Sequence, residues 1–503
     1  MNATFQPDDE FNRSLAGHVF PEQHRNPRSS GKYHLVVIGG GTAGLVTASA
    51  AAQMGARVAL VERQYLGGDC LNAGCVPSKS VIAAARAAAA VRQAARFGIR
   101  SPNPQIDFGE VMRQMRECRA RISEHDSVRR FEELGVEVFL GEGRFVDANT
   151  VVVGDARLVF RRAVVATGTR PAMPPVPGLD SVDFLTNETV FSLTRLPASL
   201  GIIGAGPIGC ELAQAFSRLG CRVVLVEVAS RILARDDAEA ANVVARALSA
   251  DGVTIHTGVA GLSVTGGSSE TVLRGTTSAG PLESRVQRLL VAAGRHPVVE
   301  GLGLEQAGVT WQAGQGIEVD DFLRTSNPRV FAAGDVCSGY RFTHAADFMA
   351  RIVLRNALFP FGRARLSRLV IPWCTYTSPE LAQVGPTREA ARQSGLDVQA
   401  VDVPFSLVDR AVLDRESEGF ARLLVQRNGI VAGATMVGEL AGELLPLVTT
   451  AVRNRIRLGE LAHTVFAYPT RSEVIRKAAD QFNRARLTPR LKQVLQTWMK
   501  WTS

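Results

Sequence analysis

Two cysteines, Cys70 and Cys75, stand with four residues between them in the segment Gly67-Gly68-Asp69-Cys70-Leu71-Asn72-Ala73-Gly74-Cys75-Val76-Pro77-Ser78-Lys79. A thiol pair this close can open a disulfide by exchange through a mixed disulfide, or hold a soft metal ion as a bis-thiolate. The segment leads into an alanine-rich run, Ala83 to Ala95, whose composition is strongly helix-forming. Glycines and a proline ahead of that run predict that the cysteines sit on a loop or a distorted first turn. There they lie near the positive end of the helix, where a thiolate is stabilised. The competing reading is a pair of buried, inert structural cysteines. The rest of the chain decides between the two.

The elements that must position the pair are legible on its N-terminal side. His34-Leu-Val-Val-Ile38 reads as a strand, followed by Gly39-Gly40-Gly41-Thr42-Ala43-Gly44, a small-residue helix to Met54, and a second strand, Arg57 to Val61, ending in Glu62. In this pattern Gly39 permits a tight turn, Gly41 lets the backbone approach a pyrophosphate and Gly44 lets the helix pack on the sheet. The helix amides hold the phosphate charge, and Glu62 is placed to bond a ribose diol. The arrangement recurs: Leu200-Gly-Ile-Ile203, then Gly204-Ala205-Gly206-Pro207-Ile208-Gly209, a helix through Arg218, then Arg222 to Val226 and Glu227. Two such units imply two dinucleotides, one of flavin and one of nicotinamide type, in a two-electron relay. Arg162 to Gly168 and Arg288 to Gly294 are near-repeats that read as strands ending in small-residue turns. Arg329 to Asp335 is a strand with an acid at its end. From about Pro372, strand-like segments (Val370–Tyr376, Phe420–Gln426, Ile430–Val437) alternate with helical ones (Glu439–Asn454, Glu473–Asn483), an α+β pattern suited to an interface domain.

At 503 residues the chain needs about three domains. Its 46% apolar and 21% charged content is that of a globular protein. No apolar run of about 18 residues suggests a membrane span. The net charge of +9 is carried by scattered arginines and accompanies no nucleic-acid motif. Residues 1–30 have no apolar core of a signal peptide and read as a flexible tail. That, with an odd count of seven cysteines, points to the cytoplasm, where a close cysteine pair is redox-active or metal-binding rather than a staple.

Taken together, Cys70-x4-Cys75-Val-Pro-Ser-Lys79, the paired glycine fingerprints, Ala166-Thr-Gly168, Ala333-Gly-Asp335 and Tyr468-Pro-Thr-x-Ser-Glu473 occur in an order that resembles the flavin-dependent pyridine nucleotide–disulfide oxidoreductases. The resemblance covers about residues 33–480. It is nearest the mercuric-reductase-like branch through Gly68-Asp-Cys-Leu-Asn, Ile371 to Glu380 and Asp409-Arg-Ala. It implies an α/β fold with two Rossmann-like dinucleotide-binding domains, for FAD and NAD(P), plus an α+β C-terminal dimerisation domain. The corresponding partition is a tail at 1–30, a first FAD-binding part at 31–180 and an NAD(P)-binding domain at 181–300. A central domain at 301–366, an interface domain at 367–482 and a helical tail at 483–503 complete it.

The resemblance also implies a homodimer acting on a small-molecule or metal-ion substrate, and roles for individual residues. Cys70 is the interchange thiol that attacks or binds substrate, and Cys75 the thiol facing the flavin. Lys79 lies at the reactive flavin edge, paired with Glu211. Asp335, with Gly334 before it, binds the ribityl–phosphate region, and His344 and Ala345 line the cofactor. Gly143 contacts the adenine half, and Gly168 and Gly294 close their strand turns at the two cofactors. In the disulfide reductases of the family a histidine–glutamate dyad moves the proton. Here the glutamate is kept as Glu473, but Tyr468 replaces the histidine, and an ordinary tyrosine is a poor base at neutral pH. His463, five residues upstream, reads as a surface or packing residue.

These departures favour reduction of a thiol-bound metal ion over a dihydrolipoyl-dehydrogenase-like activity, with a non-catalytic redox sensor as a third reading. A further departure cuts the other way: the terminal cysteine pair of mercuric reductases is missing, since no cysteine follows Cys374. Cys118, Cys210, Cys221, Cys337 and Cys374 read as small buried hydrophobes. Glu227 favours NAD(H) over NADP(H), because a carboxylate repels a 2′-phosphate, while the nearby Arg231 softens the preference. Leu491, Val494, Leu495 and Trp498 at helical spacing predict an amphipathic helix over Leu487 to Trp501, packed on the protein or on a partner subunit rather than on a membrane.

Overall fold

The computed structural model describes residues 5–267, 270–361 and 363–502. The chain forms two compact units. The first takes in the chain up to Arg92, Ser101–Val228 and His256–Leu369; the second takes in Gln93–Arg100, Ala229–Ile255 and the chain from Val370 onward.

The first unit is built on β1 (Lys32–Ile38), β2 (Val58–Glu62), β3 (Val136–Leu140), β4 (Gly143–Asp147), β5 (Thr150–Val153) and β6 (Ala156–Val165), in the order β3-β2-β1-β6-β5-β4. β1, β2, β3 and β6 run parallel, and Val330–Ala332 extends the parallel set beside β6. Leu35, Val36 and Val37 are wholly buried, so the unbroken apolar run of β1 reflects a strand covered on both faces. Helices Thr42–Gln53 and Thr343–Leu358 pack together over one face. In a second sheet Ser199–Ile203 lies between Arg222–Val226 and Arg288–Val291, all parallel. An antiparallel sheet of Ala260–Gly266, Thr271–Thr277 and Gly280–Val286 covers it. Its Leu273 and Val286 sit against Gly201, where any Cβ would collide with them.

The second unit holds a five-stranded antiparallel sheet in the order Pro372–Thr375, Glu380–Val384, Val431–Gly438, Phe420–Gln426, Val398–Pro404. Helices Ala441–Arg453 and Glu473–Ala485 close its core around Phe405, Met436, Val448 and Ile475. Residues 229–255, which sequence grouped with the nicotinamide-binding part, belong to this unit. Asp237 and Asp402 pair with the buried Arg422, and Trp373 donates to Asp236.

One expectation needs correction. Within the segment expected to be a flexible tail, Glu10–Val19 is a helix, N-capped by Asp9, with Leu15 and Val19 fully buried. Its hydrophilic composition hid an apolar stripe that needs only a few side chains to dock. The C-terminal helix forms at Pro489–Thr502, but none of its residues is buried. It therefore adds no side chain to the core of its own chain.

Candidate active site

The two glycine fingerprints fold into matching cradles. In the first, Ile38 pairs with Val61 in register, and the Gly39 amide donates to the Val61 carbonyl at 2.8 Å. In the second, Ile203 pairs with Val226, and the Gly204 amide donates to the Val226 carbonyl at 2.8 Å. Gly44 and Gly209 lie so close to the preceding turn that a Cβ would sit 1.8 and 1.9 Å from the carbonyl oxygens of Gly39 and Gly204. Only glycine allows that contact. Each cradle ends in its acid: Glu62 Oε2 accepts from the Gly40 amide at 2.5 Å, and Glu227 Oε2 from the Ala205 amide at 2.7 Å. Burial pushes the Glu62 carboxyl above its ordinary value, against the backbone amides that favour its charged form.

The thiol segment is attached to the first cradle. The Gly67 amide donates to the Gly40 carbonyl at 2.8 Å, and Gly68 lies with its backbone against Gly41. Cys70 then falls in the short helix Gly68–Asn72, and Cys75 opens the long helix Cys75–Gln93. The break at Ala73 and Gly74 brings the two thiols close enough to interact strongly.

Their electrostatics are unequal. The bond from Cys70 lowers Cys75 to about 6, helped by the Thr343 hydroxyl 3.5 Å away and by the Lys79 charge. Cys70, as the donor and partly desolvated, is pushed far up. Cys75 is thus the thiol of the pair that loses its proton more readily.

Lys79, one helical turn beyond Cys75, donates to the buried Glu211 of helix Pro207–Arg218 at 2.8 Å. Gly168, Gly334 and Asp335 follow β6 and Val330–Ala332, whose ends are in register with Ile38. They thus share the carboxyl edge of the sheet with the first cradle, the edge at which open α/β sheets bind ligands. Asp335 accepts from Thr169 Oγ1 at 2.9 Å, and burial raises its carboxyl. Gly143 opens β4 beside Val61. His344 and Ala345 stand in the first turn of Thr343–Leu358, with His344 stacked on Phe342. Gly294 ends the Arg288–Val291 turn, at the same edge as the second cradle.

The other expected residues lie in the second unit. Tyr468 is exposed, and its hydroxyl donates to Asp409 Oδ2 at 3.0 Å, a bond that holds the phenol above its ordinary value. Glu473 is buried; Arg476 bonds one oxygen at 2.6 Å, while the buried Oε2 has no hydrogen-bond partner among the described residues. His463 is exposed. Arg231 donates to the carbonyls of Leu233, Ala234 and Asp236 at 2.7 to 2.8 Å. Of the remaining cysteines Cys210 and Cys221 are buried and Cys337 and Cys374 partly so. Cys118 is exposed, because the helix Phe108–Ser123 turns that position outward.

Several site residues escaped the sequence reading. Thr343 reaches Cys75 across 268 positions. Asp69, beside Cys70, is held by Asn187 at 2.8 Å and by Arg295 at 3.3 Å. Arg295 also donates to Thr169, the partner of Asp335. Arg119, buried under the thiol segment, bonds the Asn72 carbonyl at 2.8 Å and Asn12 of the N-terminal helix at 2.7 Å. No local spacing signals any of these contacts. Among the described residues no group of three or more His, Cys, Asp or Glu side chains is arranged to hold a metal ion.

Both cradles fit a dinucleotide. Helices Thr42–Gln53 and Pro207–Arg218 begin without a side-chain cap and without an acid in the first turn, which leaves their amides to a phosphate. The chain matches the family of pyridine nucleotide-disulphide oxidoreductases over residues 33–350 and the dimerisation domain of the same family over 371–479. It belongs to that family, whose members use FAD and a pyridine nucleotide. It is 34% identical over 458 residues to a mercuric reductase of Streptomyces lividans, covering 90% of this chain and 96% of the relative. It is 32% identical over 453 residues to a dihydrolipoyl dehydrogenase of Bacillus subtilis (strain 168), covering 88% and 97%. Among solved structures, the Cu(II) complex of the HOCl-induced flavoprotein disulfide reductase RclA from Escherichia coli matches with a TM-score of 0.77 at 27% identity. That match covers 88% of this chain and 98% of the other.

Proposed function

We propose that this protein is an NADH-preferring flavin enzyme that reduces a soft metal ion held by Cys70 and Cys75, in the manner of a mercuric reductase. FAD, held by the Gly39–Gly44 cradle and Asp335, would supply two-electron redox chemistry between reduced nicotinamide and the dithiol. The chain supplies the rest. Cys75 presents a thiolate at neutral pH, with Cys70 beside it as the second soft ligand. Lys79, anchored by Glu211, holds positive charge one turn further along. The overall change is reduction of a divalent ion to the metal by one nicotinamide, with a proton released.

The observation that carries the choice of substrate is Tyr468. Its proton is held by Asp409 and its pKa is raised, so it does not serve as the base that a thiol–disulfide cycle needs. The likeness to a mercuric reductase and to a flavoprotein reductase solved with Cu(II) supports the same reading. NADH is favoured because Glu227 closes the second cradle, while Arg231 is engaged by backbone carbonyls. The dimerisation domain supports a homodimer, and a reducing, cytoplasmic setting suits the dithiol. The alternative, a disulfide reductase, draws on the retained Glu473 and the dihydrolipoyl dehydrogenase likeness.

The test is oxidation of NADH and NADPH by the purified protein with Hg(II), lipoamide and glutathione disulfide in parallel. Metal-dependent turnover, faster with NADH and lost in Cys75→Ala, is expected. Faster turnover with either disulfide replaces this reading by the alternative, and a clear preference for NADPH removes the role given to Glu227.

A further inference from the structure

The helix Pro489–Thr502 buries none of its residues. Its exposed side chains nevertheless include Leu491 at 44%, Val494 at 64%, Leu495 at 40%, Trp498 at 60% and Trp501 at 87%. At 3.6 residues per turn these five fall in one sector, while Lys492, Gln493, Gln496 and Lys500 fall opposite and Arg490 borders the apolar sector beside Trp501. A globular chain does not ordinarily leave two tryptophans and three aliphatic residues together in water.

The charge is as uneven as the apolar face. After Asp480 the chain carries Arg484, Arg486, Arg490, Lys492 and Lys500 and not one aspartate or glutamate. The helix is 14 residues long, and among the described residues no helix is long and apolar enough to cross a membrane.

We propose that Pro489–Thr502 is an in-plane anchor that docks this enzyme on an anionic lipid surface. A basic polar face opposite a face of tryptophan and leucine is the composition that settles at the boundary of headgroups and acyl chains. Tryptophan favours that depth, and lysine and arginine meet the anionic headgroups. A second copy of the helix fits this face poorly, because two strongly cationic segments meeting without a carboxylate repel one another. The surface-bound state is reversible, since a single short helix supplies limited apolar area. The inference concerns a part of the chain remote in sequence from the dithiol and stands independently of the substrate proposed above.

The experiment is co-sedimentation of the full-length holoprotein with vesicles of phosphatidylcholine alone or mixed with phosphatidylglycerol, at low and high salt. Binding to the anionic vesicles is expected to exceed binding to the neutral ones by about tenfold or more and to fall with salt. Arg490→Glu/Lys492→Glu is expected to weaken it by at least about tenfold. Trp498→Ala/Trp501→Ala is expected to weaken it by about tenfold or more through lost apolar burial. NADH oxidation should be unchanged in both variants. No binding to anionic vesicles at low salt overturns the proposal. So does binding that the tryptophan pair does not affect, which would be charge attraction alone. A lower dimer mass for Trp498→Ala/Trp501→Ala in analytical ultracentrifugation without lipid would assign the face to a partner subunit instead, and would equally overturn it.

Discussion

The two dinucleotide cradles agree nearly bond for bond, yet they are finished differently. Gly39 and Gly204 make the same backbone bond at 2.8 Å, and Glu62 and Glu227 accept from the equivalent amides of Gly40 and Ala205. Around the first, the thiol segment closes in: Gly67 is bonded to Gly40, and a Cβ at Gly68 would stand 2.7 Å from Gly41 Cα, while one at Gly41 would touch Gly68 Cα at 3.8 Å. Around the second, a Cβ at Gly206 would meet nothing within 4 Å. One fingerprint is thus enclosed by the redox segment and suits a resident cofactor. The other is open and suits a nucleotide that enters and leaves with each turnover.

The severest test of that contrast is Gly68→Ala. Its backbone is left-handed at φ +56°, and its Cβ would stand 2.7 Å from Gly41 Cα. The variant is expected to purify with about a tenth or less of the flavin, read by absorbance after desalting, since backbone cannot yield as a flexible side chain does. Full flavin content in Gly68→Ala would remove the enclosure argument.

Next in size is Leu15→Ala, in the N-terminal helix whose Asn12 meets Arg119 under the thiol segment. Loss of this fully buried side chain should destabilise the first unit by about 3 kcal/mol, seen as an earlier urea midpoint. No shift would mean that the helix is not part of the core.

Glu227→Gln is expected to raise KM for NADH about tenfold while sparing kcat, and to narrow the difference from NADPH, because it removes a charge-assisted bond to a ribose. Glu62→Gln should leave KM for either nucleotide unchanged, and a shift in both variants would erase the distinction between the cradles.

Thr343→Ala should raise the midpoint for alkylation of Cys75 by about one pH unit through loss of a bond to the thiolate. In the wild type that midpoint is expected near 6. Because the folded value is depressed, Cys75 is a thiol below that pH and a thiolate above it, so reactivity rises through pH 6 and levels off by neutrality.

The smallest effect belongs to Gly206→Ala. Its thermal midpoint should stay within about 2 °C of the wild type, with a several-fold higher KM for NADH as the only consequence. A large loss of stability would show that the second cradle is as enclosed as the first.

The sequence by itself determined what contiguous segments can specify. Each fingerprint runs strand, glycine turn, helix, strand and acid within 31 residues, as from Lys32 to Glu62, so its hydrogen bonds follow from local order. The same holds for Cys70 and Cys75 at the mouth of a helix, and for most strands of the C-terminal unit. Hydrophilic composition misled at the N-terminus, because Leu15 and Val19 suffice to dock Glu10–Val19; at the C-terminus the helical stripe foretold the helix but not what covers its face, because periodicity gives a face but not its partner. Only the tertiary structure brought Thr343 to Cys75, joined Asn187 and Arg295 at Asp69, and set Arg119 beneath Asn72. Those contacts join residues 47 to 268 positions apart. No local preference encodes them, since the packing of whole elements decides which side chains meet.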